Sequence, residues 1–437
     1  MSEPRDPSFA HAASSFGGVV FIVIAGLLWF GVNLHILLIL SLVWVAANAS
    51  TLGLDFRDIR SAMISGIEKG LGAIFIFVLI GVLIAALIEA GTVGSLVYYG
   101  VDILHPALFL PAGLVLCSFM SVVTGTAWGT VGTIGIVLMG LGGAIGIPLP
   151  LVAGMVVSGA SFGDKMSPVS DTTVLASMSA ETDVYSHIRA MLYTTVPAYL
   201  IALALFTTLG LQYSGQAIAD NEVIALREAL SAEFSIGLWT LLPLVVLLGF
   251  SMRRVAVEPS MLAAVAAAIL CAVMLQGRGV VEVLASLQDG YVAVTNHELL
   301  ETLLNRGGIQ SMMWTLSLAL IALALGGLLD RTGFVRVMLA GVLTRIRRAA
   351  TLMTATIGSG LVANMSMGEA YLSIIFGGQI FRDSYASAGL RKTMLSRCLE
   401  EGATLTTSLI PWTTAGAFYT GVLGISPLAY APWTFFN

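Results

Sequence analysis

Between Ile103 and Gly163 the chain runs for 61 residues without an Asp, Glu, Lys or Arg. That is about three times the roughly 20 residues that cross a bilayer core as a helix. Further charge-free stretches cover 7–54, 190–219 and 402–437. Backbone amides in lipid must be satisfied inside the protein, so only helices or closed barrels span a membrane. Barrel strands would alternate apolar and polar residues in short segments, and these stretches do not. The chain therefore reads as an all-α polytopic membrane protein. Charged residues make up only 10% of its 437, against roughly 25% in soluble domains. That excludes a soluble enzyme, a disordered chain and a nucleic-acid binder. The cysteines, Cys117, Cys271 and Cys398, sit in or beside apolar stretches at unpaired spacings, which argues against a disulfide framework or a zinc site. Residues 1–16 are predicted to be a cytoplasmic N-terminal tail. The apolar stretch behind them is too long for a signal h-region, so no cleaved leader is expected.

Apolar segments place spans at 17–32 and 34–50, turning near Asn33, and at 70–90. Residues 55–69 are charged and amphipathic and are expected at the interface. A long glycine-rich region, 94–179, and a span at 186–212 complete a first membrane half, 17–212. Residues 213–233 are polar and read as an extramembrane linker. A second membrane half, 234–437, repeats the plan with spans at 234–251, 259–276 and 309–329 and another Gly/Ser/Thr-rich region after 350. Three landmarks recur at a nearly constant offset: Glu89 and Asp330, Gly125 and Gly368, Pro168 and Pro411. The positive-inside rule puts Arg253, Arg254, Arg345, Arg347 and Arg348 in the cytoplasm. The 278–306 stretch then lies outside, whereas its counterpart at 55–69 lies inside. Equivalent segments on opposite faces predict two inverted-topology repeats with discontinuous helices, the architecture of secondary transporters.

The interruptions of the apolar spans carry the chemistry. Gly159–Ser179 places Asp164, Lys165, Asp171 and seven Ser or Thr residues at membrane depth. Carboxylates are expensive there and usually line a cavity on an ion or proton path. The plainer alternative is a solvated Asp164–Lys165 pair on a re-entrant cytoplasmic loop. Pro168 removes a backbone donor and should break the helix, freeing carbonyls and helix ends that coordinate cations. Sodium takes hard oxygen ligands, and a carboxylate among them can take a proton instead. That competition is the simplest route to antiport. In the second half Asn364, Ser366 and Glu369 form one polar break, and Thr404, Thr407, Trp412 and Thr413 flank another. Thr126 could supply a hydroxyl at the first-half break. Glu369 is bracketed by apolar sequence on both sides. It is either an ion-carrying group or a buried acid bonded to a neighbouring span. Glu400 and Glu401 follow Arg391, Lys392 and Arg397 and read as a charge cluster at headgroup level. Glu89 and Asp330 read as interfacial caps, and His105 and His187 as residues near span ends.

Gly159–Gly163 fits G-x-S-x-G, but that motif means a nucleophile only on a strand-to-helix turn, so no enzyme is expected. Gly125/Gly129 and Gly142/Gly146 fit the small-residue packing pattern of membrane helices. No phosphate-cradling Gly-Lys-Ser/Thr sequence is present, so an ATP-driven pump has no visible engine.

The run Gly163-Asp-Lys-Met-Ser-Pro-Val-Ser-Asp-Thr-Thr173 resembles the signature of the NhaC-type sodium/proton antiporters, a family that also contains sodium-malate/lactate antiporters. The resemblance covers nearly the whole chain in length, span pattern and paired breaks. It implies an inner-membrane secondary transporter of the ion-transporter superfamily with re-entrant hairpins and elevator motion against a homodimeric scaffold. Carried over, the motif makes Asp164, Ser167, Ser170, Asp171, Thr172 and Thr173 candidate cation ligands, with Asp171, Asp164 and Thr172 on sodium. The expected partners are the lipid bilayer, sodium ions and protons, with no cofactor and no nucleic acid. The alternative is sodium-coupled transport of a small organic anion or amino acid. Lys165, Asn364, Thr413 and Trp412 would offer such a solute a cation, an amide, a hydroxyl and a stacking face.

Overall fold

The computed structural model describes residues 6–103, 106–213, 220–253, 255–293, 301, 304–343, 346 and 348–437. His105, Arg254, Arg345, Arg347 and parts of the 213–233 and 278–306 stretches lie outside the described residues. All the regular structure described is helical. The chain opens with α1 (Phe9–Leu28), α2 (Leu34–Thr51), α3 (Phe56–Lys69), α4 (Leu71–Glu89) and α5 (Thr92–Ile103). Asn33 caps α2, its side chain accepting from the His35 amide, which sets the turn between the first two spans. α6 (Pro106–Thr124), α7 (Ala127–Thr130), a π-turn at Val131–Gly135, α8 (Ile136–Ala144), α9 (Leu149–Met166) and α10 (Asp171–Ser179) resolve the glycine-rich region. Then come α11 (Val184–Gln212), α12 (Asp220–Glu233), α13 (Leu242–Met252), α14 (Val257–Met274) and α15 (Val280–Asp289). The last set is α16 (Gly308–Arg331), α17 (Phe334–Leu343), α18 (Ala349–Met367), α19 (Ala370–Ser387), α20 (Lys392–Thr407), α21 (Thr414–Leu423) and α22 (Pro427–Tyr430). Among the described residues seven helices are long and apolar enough to cross a membrane, or up to nine if two bent pairs count as spans. This is a multi-pass membrane protein.

Helix boundaries recur along the chain. Residues 106 and 349, 127 and 370, 149 and 392, and 171 and 414 open helices, each pair 243 positions apart. The local geometry at one pair of breaks is the same. Gly125 and Gly368 both adopt left-handed backbone, at φ 71° and 70°. Each ends its helix through an amide bond back four residues, to the Ser121 and Asn364 carbonyls at 2.8 and 2.9 Å. A glycine without Cβ makes this terminator inexpensive. The next residue in each case is an extended N-cap: Thr126 at φ −149°, ψ 124° and Glu369 at φ −149°, ψ 129°. Gly125, expected as a packing residue, is this terminator as well: a Cβ there would lie 2.7 Å from Val169 Cγ2.

The chain divides into two compact units that cut across the sequence halves. One gathers Met1–Ile74, Asp171–Leu192 and Thr315–Phe418; the other gathers Phe75–Ser170, Tyr193–Trp314 and Tyr419–Asn437. In the first, Val19, Leu38 and Val45 join Leu325, Leu329 and Phe334 in one apolar core. Ile374, Phe381, Leu395 and Leu399 form a second core with Ala176 of α10 and Ala180 just beyond it. In the other unit, α6 and α9 approach through glycine. A Cβ on Gly159 would lie 2.7 Å from the Leu114 carbonyl oxygen, and one on Gly163 would lie 2.6 Å from the Val122 amide nitrogen. The G-x-S-x-G glycines are thus a packing surface, and Ser161 takes a hydrogen bond from the Asn437 amide at 3.0 Å. Gly159→Leu should force these helices apart and destabilise by at least about 1–3 kcal/mol. Thermal unfolding in detergent measures it, and wild-type melting would refute the close packing.

The turn from α10 to α11 carries the one non-glycine residue with positive φ among the described residues, Glu181 at 54°. Its carboxylate accepts from Arg382 at 2.7 Å and Lys392 at 2.9 Å, and Arg382 also donates to the Ser179 carbonyl. The Lys392 hydrogen bond and the nearby Arg382 charge hold this carboxyl below its usual range. A lowered folded-state value contributes stability above the unfolded carboxylate range and loses it as pH falls through the lowered value. Glu181→Gln should therefore lower the melting temperature slightly at neutral pH and not at all under acid. Equal melting at both would remove the clamp.

Candidate functional site

Polar residues collect at the helix breaks of each unit. In the unit containing α6 and α9, α9 stops at Met166, two residues before Pro168. Asp164 is buried in its last turn, and its Oδ1 accepts from the Ser170 hydroxyl at 2.8 Å. Lys165 is 1% exposed, with its ammonium 5.8 Å from the centre of the Phe436 ring. The solvated-pair alternative does not describe these side chains. Ser167 donates to the Val122 carbonyl at 2.9 Å, tying the second break to the end of α6. Thr126, half-buried, accepts from the Gly129 amide as the cap of α7.

In the other unit, Glu369 is buried at the N-terminus of α19, its carboxylate accepting from the Tyr371 amide at 2.6 Å and the Leu372 amide at 3.3 Å. The amide dipoles there favour a negative charge. Its second oxygen takes the Thr414 hydroxyl at 3.5 Å, and the Thr414 amide donates to the Gly368 carbonyl at 2.8 Å. Trp412 donates its indole N–H to the Met365 carbonyl at 2.9 Å. The breaks between α18 and α19 and between α20 and α21 are therefore stitched together. Val122 and Met365, 243 positions apart, each receive a side-chain donor from the following break.

Asn364 is buried where α18 meets α20, donating to the Ala403 carbonyl at 2.6 Å and the Thr406 hydroxyl at 2.9 Å. Ser366 bonds back to its own helix, and Thr413 donates to the Thr407 and Ile410 carbonyls. The signature motif is divided: Gly163–Ser170 belongs to one unit and Asp171–Thr173 to the other. Asp171 opens α10 and is exposed, whereas Thr172 and Thr173 behind it are buried.

Two acidic residues were misplaced by sequence reasoning. Glu400, expected at headgroup level, is fully buried and accepts from the Thr172 hydroxyl at 3.1 Å. Arg397 lies 3.9 Å from Glu401 instead, one helical turn on. That spacing is the missed signal. An i,i+4 pair at 397 and 401 turns residue 400 about 100° away from the charged flank. Glu89, expected as an interfacial cap, is also buried, with Arg278 3.8 Å away. Asp330 pairs with Lys69 at 2.9 Å. His187 is buried and shares a 2.8 Å hydrogen bond with Ser396. Among the described residues no three His, Cys, Asp or Glu side chains gather as a metal cluster, so any ion held here would rest on mixed oxygen donors.

The profile described as the Na+/H+ antiporter family matches residues 8–189 and 159–437. The chain is 38% identical to the malate-2H(+)/Na(+)-lactate antiporter of Bacillus subtilis (strain 168), covering 99% of this chain and 92% of that protein. It is 37% identical to the Na(+)/H(+) antiporter NhaC of the same organism, covering 100% and 96%. It is 34% identical to the arginine/ornithine antiporter ArcD of Halobacterium salinarum (strain ATCC 700922 / JCM 11081 / NRC-1), covering 99% and 90%. With matches that run the length of the chain and through both sets of breaks, this protein is a member of the Na+/H+ antiporter family.

Proposed function

We propose that the protein is a secondary active transporter of the inner membrane that exchanges sodium ions for protons on buried carboxylates. The observation that carries this is that each compact unit holds a buried carboxylate at a helix break, Asp164 in one and Glu369 in the other. Breaks at membrane depth expose helix ends to ions, and the hydroxyls of Ser167, Ser170, Thr172 and Thr173 lie close by in sequence. Asp164 in one unit, and Asp171 and Thr172 in the other, are the candidate sodium ligands of the motif, and a carboxylate that takes a proton gives its sodium up. Family relatives carry these ions by name.

A second reading is exchange of an organic anion or amino acid, as two relatives' names describe for themselves. Of the four groups that would hold such a solute, three are committed within the protein: both Asn364 amide bonds, the Trp412 indole and the Thr413 hydroxyl, while Lys165 is buried with its ammonium near the Phe436 ring. What the second-half breaks offer is oxygen, which suits a cation. Proteoliposomes decide between the two. A sodium gradient alone should drive proton movement, and strict dependence on added malate, lactate, arginine or ornithine would favour the second reading.

Two inverted-topology repeats are part of the proposal, supported by the recurrent helix starts and matching break geometry. Cysteine labelling should place residue 60 and residue 288 on opposite faces of the membrane, and the same face would end this part. Elevator movement against a homodimeric scaffold completes the reading, and an active monomer in mild detergent would remove the dimer.

A further inference from the structure

Among the described residues of the unit built on α18, α19 and α20, Ser15 and Thr315 each leave a buried hydroxyl without a hydrogen-bond partner, and three further side-chain oxygens of that kind lie on α18 and α20. They are Asn364 Oδ1, Thr404 Oγ1 and Thr407 Oγ1, on residues 0%, 8% and 7% exposed. Buried polar atoms are nearly always satisfied, so each such atom asks for a ligand. They are not scattered. Residues 400, 404 and 407 fall within about 60° of one another around α20 at roughly 100° per residue. The two orphan threonines therefore share one helix face with Glu400. Asn364 is held against the same end of α20, because both its amide hydrogens are taken by Ala403 and Thr406. Its remaining polar atom can only accept. Thr172, from the signature motif, reaches the same carboxylate from α10.

One carboxylate, two threonine hydroxyls and one amide oxygen make a hard, all-oxygen set, with one negative charge in a buried place. That chemistry suits a small monovalent cation. It does not suit an anion, which would meet the carboxylate, and it is under-charged for a divalent ion. We propose that Glu400, Thr404, Thr407 and Asn364 form a buried sodium site within this unit, in which a proton and a sodium ion compete for the Glu400 carboxylate. The exchange balances one for one: sodium enters as Glu400 releases its proton, and leaves as the proton returns. Asp171, exposed at the start of α10, is a separate carboxylate one residue before the Thr172 contact. This site rests on the antiport reading only for its role in transport; sodium binding stands apart from it.

The other titratable groups on the packed elements are accounted for. Arg397 and Glu401 lie together, and Tyr385 bonds Thr356. Cys398 is buried, His187 bonds Ser396, and Arg382 and Lys392 hold Glu181. Glu369 caps α19, Tyr371 in its first turn is exposed, and Asp383 lies further along that helix. α18 contributes no ionisable side chain.

The test is the rise in melting temperature of the purified full-length protein when sodium chloride replaces choline chloride, across a pH series. The wild type should gain stability with sodium, and more as pH rises and the proton competes less. Glu400→Gln should weaken sodium binding at least tenfold and flatten the pH dependence. Thr404→Val is the more discriminating variant. It removes an unsatisfied hydroxyl, so it should melt at or above the wild type in choline and still lose part of the sodium increment. A purely structural threonine would leave that increment unchanged. Wild-type sodium increments in both variants, or none in the wild type, would overturn the site. A sodium increment lost in Glu400→Gln, in a protein whose liposomes move no protons with sodium, would keep the site and remove the antiport reading.

Discussion

Replacing Asp164 with asparagine is expected to cost about 3–5 kcal/mol of stability, the range for breaking one side of a buried charge pair. Asp164 and the adjacent Lys165 are both buried, and the lysine ammonium is held over the Phe436 ring. Asparagine can keep the Ser170 hydroxyl bond but removes the negative charge next to a buried ammonium. A second change should therefore restore much of what the first removes: Asp164→Asn with Lys165→Met should melt well above Asp164→Asn alone. Asp171→Asn is the contrast. Its side chain is exposed, so the fold should survive, while sodium binding at the signature motif and the pH response of that binding are lost because an amide cannot ionise. Thermal unfolding and sodium calorimetry at two pH values on each variant separate the roles. Wild-type melting of Asp164→Asn would show that Lys165 does not depend on it. Wild-type sodium binding by Asp171→Asn would make Asp171 structural and turn attention to Glu369 and Glu400.

Glu369 has two jobs that different substitutions divide. Its carboxylate caps α19 through the Tyr371 and Leu372 amides, and a neutral glutamine oxygen can accept the same bonds. Glu369→Gln should then melt within about 1 kcal/mol of the wild type. Losing a charged ligand worth about 1.5–3 kcal/mol should nevertheless weaken ion binding roughly 10- to 150-fold. Glu369→Ala should lose both functions, with a further stability loss of about 1–2 kcal/mol for the uncapped helix. Proton flux in liposomes beside thermal unfolding measures the split. Full transport by the folded Gln variant would leave Glu369 as a cap alone.

Much of the architecture was legible because it is local. The pair of spans turning at Asn33, the amphipathic 55–69 helix and the spans ending at Glu89 and starting near residue 309 were read from runs of apolar residues. They appear as α2 to α4 and α16 within a few residues, whereas α1 begins at Phe9, eight residues before the span expected at 17. The breaks at Gly125, Pro168 and Gly368 were legible for the same reason: a left-handed glycine or a missing amide donor stops a helix wherever it stands.

Burial and partnership were a different matter, because hydropathy counts residues and does not say which face they turn to. Glu400 sits beside Glu401 in sequence, yet one is fully buried and the other flanks Arg397. Asp164 and Asp171 share one signature motif, yet one is buried and the other exposed. The glycines of Gly159–Gly163 fit an enzyme motif that their helical setting already discounted, but that α6 lies against them was visible only in the fold. By itself the sequence determined where helices start, stop and cross lipid, since backbone hydrogen bonding and apolar transfer act over one turn or one span. Which carboxylate is sealed in oxygen-rich surroundings was decided only in tertiary structure. Thr172 and Glu400 stand 228 residues apart, and no periodicity in the chain brings them together; the packing of α10 on α20 does.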